Sequence, residues 1–355
     1  MTKLIGVDLF AGAGGMTLGA KLAGIDVQLA VEMDINAALT YSFNHPEVRL
    51  IPGDIAGLTE IPVEKSPGSQ TVLFGGPPCQ GFSTSNQKTR TANNPRNWLF
   101  KEFLCLAEQW KPDWIVFENV KGITETEHGT FLQHILKNIR TLGYTPFHSV
   151  LNSACFGIPQ RRERLFVIAS RNGLDFHFPV PTVDKPIPVS DALADLPQLS
   201  NGADEDVLPY REMVEPSNYA KMLRGQDKSS SGHLVSRNAD YVVQRYKHIP
   251  QGGNWQNIPS GLMLNYSDAS RCHTGIYHRL DPDLPSIVIG NYRKNMLIHP
   301  CEDRGLSVRE AARIQSFPDS YQFYGSIGFQ QQQVGNAVPP LLARSVFESL
   351  VATAT

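Results

Sequence analysis

The cysteine in GGPPCQGFS, Cys79, has neighbours that a buried structural cysteine does not need. Two prolines precede it and stiffen the chain, and nearby glycines permit sharp turns directly after the apolar run TVLF. A thiolate is the strongest side-chain nucleophile available near neutral pH. The pattern therefore predicts that Cys79 is a nucleophile at the tip of a shaped loop that follows a β-strand.

An acidic residue, Glu118, ends a second apolar run in the stretch FENV. Because parallel strands end at one edge of a sheet, we expect Glu118 to lie at the same edge as Cys79. Taken alone, Glu118 also fits the simpler role of capping the next helix. Cys105 differs from Cys79, since it lies in an apolar helical pattern that predicts a position in the core.

A glycine-rich turn, DLFAGAGG, follows the first predicted strand and opens a helix. Gly12 and Gly14 let the backbone approach a ligand, and Glu32 ends the next strand, where an acid can bind ribose hydroxyls. Thr17 stands where a dinucleotide fingerprint has its third glycine, which favours a cofactor without a pyrophosphate, such as S-adenosylmethionine. Asp54 in GDI could supply an acid to the adenine of such a cofactor or to its surroundings. A tight β-α connection without a ligand is the alternative.

Short apolar runs alternate with amphipathic segments over the first half of the chain. This pattern predicts an α/β fold with a mostly parallel, doubly wound, Rossmann-like sheet. After about Pro179 the sequence becomes proline-rich and polar, which indicates a second, smaller and irregular domain. Later, Ser307 and Glu310 form a capping box for a helix that Pro318 would stop, and a last helix is expected to pack on the first half. The predicted strands are Leu4 to Leu9, Val27 to Glu32, Thr71 to Phe74, Trp114 to Glu118 and Leu165 to Ser170.

The composition of the 355 residues suits two domains, or one large domain with an insert. The five cysteines are widely spaced without a C-x-x-C pair, which argues against a disulfide framework and against a metal site. We expect no membrane span, since no apolar stretch approaches about 20 residues, and the start of the chain has no signal-peptide anatomy. A reducing cytoplasm fits these features.

The formal net charge of −2 does not indicate a polyanionic binding partner. Its distribution is uneven, because residues 221–300 carry ten basic and five acidic side chains, whereas residues 184–220 carry two basic and eight acidic ones. A local basic surface could meet phosphates while the whole molecule stays acidic. On this count alone, an ordinary solvated face of mixed charge is the preferred interpretation.

Nine motifs in order make the chain resemble the DNA (cytosine-5)-methyltransferases of the bacterial restriction-modification type. The resemblance thins between about Pro181 and Pro300, where this family keeps its variable target-recognition domain. The motifs are DLFAGAGGM, VEMD, GDI, GGPPCQGFS, RNWLF, FENV, QRRERLFVIA, REAARIQSFP and QVGNAVPP.

The resemblance implies sequence-specific methyl transfer from S-adenosylmethionine to carbon 5 of cytosine in duplex DNA. Cys79 would add covalently to carbon 6 of a flipped-out base, and Glu118 would contact N3 and the exocyclic amine. Arg162 and Arg164 would position the base, the cysteine loop or both. The implied cofactor contacts are Phe10, Gly12, Gly14, Glu32, Met33, Asp54, Ile55, Pro77, Leu99, Asn336 and Val338.

The same resemblance implies a domain organisation and partners. Residues 1–183 plus 330–355 would form the catalytic, cofactor-binding domain, and residues 184–329 the target-recognition domain and hinge, with the motif at 307–318 at the junction. We expect a monomer in a prokaryotic cytoplasm, associated with the nucleoid through double-stranded DNA, whose cognate restriction endonuclease would be encoded separately. The expected DNA contacts are Ser83, Lys88, Arg90, Asn254 and Arg271.

Three other functions are weighed against this one. A tRNA methyltransferase would keep the chemistry, but that branch of the family usually carries Cys-Phe-Thr, and the tripeptide is absent here. A regulatory module built from an inactive enzyme fits poorly with the intact Cys79 and Glu118. A nicotinamide-dependent dehydrogenase predicts a glycine at position 17 and does not explain PPCQ.

Overall fold

A seven-stranded sheet dominates the computed structural model of the protein, within the residues that it describes. These residues are 3–78, 99–125, 129–264, 275–290, 292, 294 and 296–354. The strands are β1 (Leu4–Leu9), β2 (Asp26–Glu32), β3 (Arg49–Pro52), β4 (Gln70–Gly75), β5 (Trp114–Val120), β6 (Thr145–Asn152) and β7 (Glu163–Ser170).

The strand order is β3-β2-β1-β4-β5-β7-β6, and β7 alone of these seven runs opposite to the other six strands. The predicted mostly parallel α/β sheet is therefore confirmed. The sequence prediction gives no bounds for the strand before GDI, which is β3 and has only four residues. It lacks β6, which is a partly exposed edge strand. The helices between the strands are α1 (Gly15–Leu22), α2 (Ile35–Asn44), α3 (Leu99–Trp110) and α4 (Thr130–Thr141).

Helix α3 buries one apolar face against the sheet. Phe103, Leu106 and Trp110 lie in the core together with strand residues such as Leu73. The prediction that Cys105 lies in the core is wrong, since its side chain is exposed. Cys105 follows Phe103 by two positions, and residues two apart on a helix point away from one another.

The chain divides into two compact units. The first contains the sheet and comprises Met1–Phe156, Glu163–Thr182 and Pro340–Thr355, and the second comprises Gly157–Arg162 and Val183–Pro339. Residues 330–339 therefore belong to the second unit, whereas the sequence-based boundary places them with the sheet. The second unit has only short regular elements in its described part: α5 (Val189–Leu193), β8 (Leu208–Pro209), α6 (Asn218–Arg224), β9 (Ser229–Ser230), α7 (Asp240–Tyr246), α8 (Val308–Ile314) and α9 (Ile327–Asn336).

The second unit is held by a buried charge cluster around α8. The capping box of Ser307 and Glu310 is confirmed, since the Glu310 carboxylate accepts a hydrogen bond from the Ser307 backbone N–H at 2.7 Å. Arg313 donates to Asp319 at 2.6 Å and also pairs with Asp195. Because these side chains are almost fully buried, the cluster organises this unit and is not available to solvent ligands.

The end of α8 differs from its prediction. The helix ends at Ile314 rather than at Pro318. Ser316 adopts a positive φ of 64°, which is incompatible with a right-handed helix. Phe317 precedes Pro318, and a residue before a proline disfavours helical backbone.

The last helix, α10 (Pro340–Ala354), belongs to the first unit, as predicted. Its Phe347 ring lies 5.0 Å from the ring of Phe74 in β4, in an edge-to-face arrangement. Within the described part of the chain, no helix is long and apolar enough to span a membrane.

Candidate active site

The predicted site residues of the first unit gather at the carboxyl-terminal edge of its sheet. Strands β1, β2, β4 and β5 are parallel and end at this edge. The strand order reverses between β1 and β4, which is where open α/β sheets bind ligands. The ends of these strands and the segments directly after them carry the glycine-rich turn, Glu32, the start of the cysteine loop and Glu118.

The glycine-rich turn after β1 has an uncommon backbone. Phe10, Gly12 and Gly14 all have positive φ, at 63°, 56° and 87°. Phe10 is not a glycine, so its left-handed conformation is strained and depends on the surrounding structure. A side chain added at Gly12 would meet no atom of the described residues within 4 Å, so with respect to these residues the turn faces open space.

Glu32 holds this turn from the end of β2. One carboxylate oxygen accepts a hydrogen bond from the Gly12 backbone N–H at 2.7 Å, and the other accepts one from the Asp34 N–H at 2.7 Å. Burial raises the pKa of Glu32, and these two backbone donors partly oppose that rise. Beside it, the Met33 side chain is 66% exposed and available to a flat ligand.

The remaining predicted cofactor residues of the first unit are placed at or near the same edge. Asp54 follows β3, is exposed, and accepts a hydrogen bond from the Ala56 N–H at 3.0 Å. Ile55 is buried beneath it, and Leu99 begins α3. The structure thus brings the acids after β2 and β3 to the same edge as the glycine-rich turn.

A buried polar link lies beneath the turn and was missed by sequence reasoning. The Thr17 hydroxyl donates to the Asp8 carboxyl at 2.7 Å and lies 2.9 Å from the Tyr41 hydroxyl. All three side chains are at most 1% exposed. Burial raises the pKa of Asp8 to about 8, and the nearby Glu32 carboxylate adds to this rise. The sequence signal was Thr17 itself, in place of a glycine.

The raised pKa of Asp8 predicts a pH-dependent stability. Between about pH 4 and pH 8 the folded state keeps a proton on Asp8 that the unfolded state releases, so stability falls as pH rises through this window. Asp8→Asn removes this proton uptake. We expect its free energy of unfolding to fall less steeply between pH 5 and pH 8, by up to about 1.4 kcal/mol per pH unit. Parallel curves from urea unfolding of both proteins would contradict this assignment.

The second half of the edge carries a buried ion pair. The Nε of Arg164 lies 3.0 Å from a carboxylate oxygen of Glu118, and each side chain is only about a tenth exposed. Strand β7 is antiparallel to β5, so it begins at this edge and sets Arg164 opposite Val120. Burial lowers the pKa of Arg164, and the Glu118 carboxylate opposes that effect. The structure thus brings two of the predicted catalytic residues, Glu118 and Arg164, into contact, which the sequence did not predict.

The start of the cysteine loop packs directly against Glu118. A side chain at Gly76 would come within 2.6 Å of the second carboxylate oxygen of Glu118, so only glycine leaves that oxygen in place. The Asn119 side chain donates to the carbonyl of Pro77 at 3.0 Å. Asn119 was not singled out from the sequence, although it is part of FENV. This hydrogen bond holds the loop next to Glu118 at Pro77, two residues before Cys79.

The other predicted arginine, Arg162, lies in the second unit. Its guanidinium is fully buried and donates to the carbonyls of Gly335 at 2.9 Å and Ala337 at 2.8 Å. Asn336 and Val338 belong to the same segment of this unit, where α9 ends. Arg162 therefore shapes the C-terminal motif QVGNAVPP.

Several predicted residues lie outside the described part of the chain, namely Cys79, Ser83, Lys88, Arg90 and Arg271. Asn254, the one predicted DNA contact that is described, caps a short turn and accepts from the Gln256 N–H at 3.0 Å. In the described residues, no group of three or more His, Cys, Asp or Glu side chains could hold a metal ion.

Comparison with known proteins decides the family. A model of the C-5 cytosine-specific DNA methylases matches residues 4–352, which is nearly the whole chain. The protein belongs to this family. The resemblance of the nine motifs is thereby confirmed, and the protein is an enzyme, a DNA (cytosine-5)-methyltransferase.

Individual relatives agree with the family. The Type II methyltransferase M1.HphI of Haemophilus parahaemolyticus is 34% identical over 349 residues, 97% of this chain and 86% of that protein. M.DdeI of Desulfomicrobium norvegicum is 32% identical over 367 residues, 97% of this chain and 88% of that protein. A solved E. coli prophage protein, described as a DNA modification methyltransferase, has a TM-score of 0.78, with 25% identity and 99% of each chain covered.

Proposed function

We propose that this cytosine-5 methyltransferase uses S-adenosylmethionine to methylate duplex DNA at a specific sequence, through covalent attack of Cys79 on a flipped-out cytosine. The observation that carries the proposal is the buried pair of Glu118 and Arg164 at the carboxyl edge of the sheet. The start of the cysteine loop lies beside this pair, since Gly76 adjoins the Glu118 carboxylate and the Pro77 carbonyl accepts a hydrogen bond from Asn119.

The first half of the edge fits an adenosyl cofactor. Gly12 faces open space, the Glu32 carboxylate lies at the end of the adjacent strand, and Met33 offers an exposed apolar side chain. An acid in this position can accept hydrogen bonds from ribose hydroxyls. When bound, S-adenosylmethionine supplies an electrophilic sulfonium methyl group.

The second half of the edge fits nucleophilic catalysis on cytosine. Carbon 5 of cytosine is a poor nucleophile until the Cys79 thiolate adds to carbon 6 and makes carbon 5 enamine-like. Glu118 would contact N3 and the exocyclic amine, and a proton shared between Glu118 and N3 would neutralise the negative charge that the thiolate brings into the ring. After carbon 5 takes the methyl group, a base removes its proton, the ring double bond forms again, and the Cys79 thiolate leaves.

The burial of Glu118 supports a mechanism in which the base leaves the DNA helix. Its side chain is only about a tenth exposed, so a cytosine stacked inside a duplex would not reach it. Enzymes that act on such bases swing the nucleotide out of the stack and read its Watson–Crick edge in a pocket. We therefore infer base flipping, with Lys88 and Arg90 of the loop after Cys79 near the phosphates.

The target-recognition role falls to the second unit. Its part from 221 to 300 is the basic stretch of the sequence, and the described residues of this part have few regular elements, which suits a variable reader of DNA. We further propose that the enzyme acts as a monomer, since one chain carries every catalytic group named here. The Type II relatives favour a restriction-modification system with a separately encoded endonuclease.

A methyl-transfer assay tests this function. Purified protein is incubated with S-adenosylmethionine carrying a labelled methyl group and with unmethylated duplex DNA, and tRNA is tested in parallel. We expect label in DNA only, at one short sequence that position-resolved sequencing identifies. Label in tRNA alone would overturn the substrate while leaving the chemistry. Bound cofactor without any transfer would favour a regulatory module.

Glu32→Ala tests the cofactor half of the edge. The change removes the carboxylate that holds the turn, and we expect the dissociation constant for S-adenosylmethionine to rise about 10- to 100-fold. Affinity for DNA without cofactor should stay the same. Asp26→Ala is the control, because Asp26 is an exposed acid at the opposite end of the same strand, where it pairs with Lys3 at 3.0 Å. A loss of DNA affinity instead would show that the site is misplaced.

A further inference from the structure

Thr17 departs from the dinucleotide fingerprint, and its side chain has a definite place in the structure. It is fully buried, and its hydroxyl joins three elements. It donates to Asp8 at the end of β1 and lies 2.9 Å from the hydroxyl of Tyr41 in α2, while Thr17 itself belongs to α1. A glycine here could make neither contact.

The link closes the base of the cofactor turn. Asp8 precedes the turn and Thr17 follows it, so their 2.7 Å hydrogen bond ties the two ends of residues 9–16 together. At the top of the same segment, the Gly12 N–H is bound by Glu32. The turn is thus fixed at two levels, which limits the positions that its strained backbone can adopt.

Helix α2 joins the two levels. Its first residues adjoin Glu32, because the Asp34 N–H donates to that carboxylate. About two turns further along, Tyr41 reaches the Thr17 hydroxyl. The Tyr41 ring lies 4.8 Å from that of His45, which hydrogen-bonds to the Gly14 backbone. A shift of α2 would therefore move both Glu32, the residue proposed to bind the ribose, and the Tyr41 contact that supports the turn.

We propose that Thr17, with Asp8 and Tyr41, positions the glycine-rich turn for the cofactor and sets cofactor affinity without touching the reacting atoms. The inference rests on the proposed S-adenosylmethionine site. These groups lie beneath the turn, away from Glu118 and Arg164, so their loss acts on binding rather than on the chemical step.

Thr17→Val tests this role, since it keeps the size and removes the hydroxyl. We expect the dissociation constant for S-adenosylmethionine by calorimetry, and its KM, to rise on the order of tenfold, while kcat at saturating cofactor stays within about twofold. Thr17→Ser should restore wild-type affinity. Tyr41→Phe removes the hydroxyl that lies beside Thr17 and keeps the shape of the ring. It should also raise the dissociation constant for S-adenosylmethionine, and it provides the test if Thr17→Val does not fold.

The matched control is Thr71→Val. Thr71 is equally buried and donates to the Asp113 carboxyl at 2.8 Å, at the start of β4 and so at the opposite edge of the sheet. It should lower the melting temperature but leave cofactor affinity unchanged. Unchanged affinity in a folded Thr17→Val protein, or an equal loss in Thr71→Val, would overturn the inference. A wild-type protein that binds no cofactor would instead overturn the proposed site, and the inference with it.

Discussion

Cys79→Ser is expected to abolish methyl transfer to DNA while leaving S-adenosylmethionine binding intact. A serine hydroxyl is not ionised near neutral pH and adds poorly to carbon 6 of cytosine. Removing a covalent nucleophile lowers kcat by at least about 10⁴-fold in comparable enzymes. Single-turnover methyl transfer with labelled cofactor measures the loss, and calorimetry measures cofactor affinity.

Two exposed or partly exposed thiols provide the controls for this substitution. Cys105 and Cys155 are free cysteines in the described part of the first unit. Cys105 lies in the middle of α3, and Cys155 follows β6, which β7 separates from β5 in the sheet. Their serine variants should keep wild-type activity. Full turnover by Cys79→Ser would contradict covalent catalysis. Loss of cofactor binding in the same variant would mean that the loop supports the cofactor rather than the base.

Glu118→Gln is expected to cause the second largest loss, about 10²- to 10⁴-fold in kcat. Glutamine keeps the shape of the side chain but cannot carry the charge that Arg164 pairs with at 3.0 Å, nor exchange a proton with N3. Gly76 has no side chain that would displace the second carboxylate oxygen of Glu118. Because an amide NH₂ group is close in size to that oxygen, glutamine should fit in the same place. DNA and cofactor affinities should change little, which separates a catalytic loss from a loss of binding.

Glu163→Gln is a suitable comparison for this variant. Glu163 begins the same strand as Arg164 and pairs with Lys121 at 3.1 Å, but both partners are exposed. Exposed pairs contribute little, so the control should retain nearly full activity. Equal activity of Glu118→Gln and wild type would remove Glu118 from the mechanism.

The sheet and its functional edge could be predicted because apolar runs mark buried strands and polar motifs follow them directly. The two strands predicted to end at Glu32 and Glu118 end within two residues of these positions in the structure. The glycines and acids at these ends then had to meet at one edge, since the strands are parallel.

Other features depend on register and packing that a sequence pattern does not encode. The Glu118 and Arg164 contact needs β7 to be antiparallel to β5 with Val120 opposite Arg164, and no local pattern specifies this pairing. The hydroxyl link of Thr17 needs Tyr41, 24 residues away on another helix. Arg162 and Arg164 are two residues apart in one motif, yet the first bonds to the carbonyls of Gly335 and Ala337 and the second to a carboxylate.

The most direct test of methylation at carbon 5 follows the hydrogen that this carbon must lose. Duplex DNA is prepared with tritium at carbon 5 of cytosine and incubated with S-adenosylmethionine carrying a carbon-labelled methyl group. Covalent activation by Cys79 predicts that one tritium enters water for each methyl group that enters DNA. Methyl transfer with the tritium retained would place the methyl group on another atom, such as the exocyclic nitrogen, and would contradict the account.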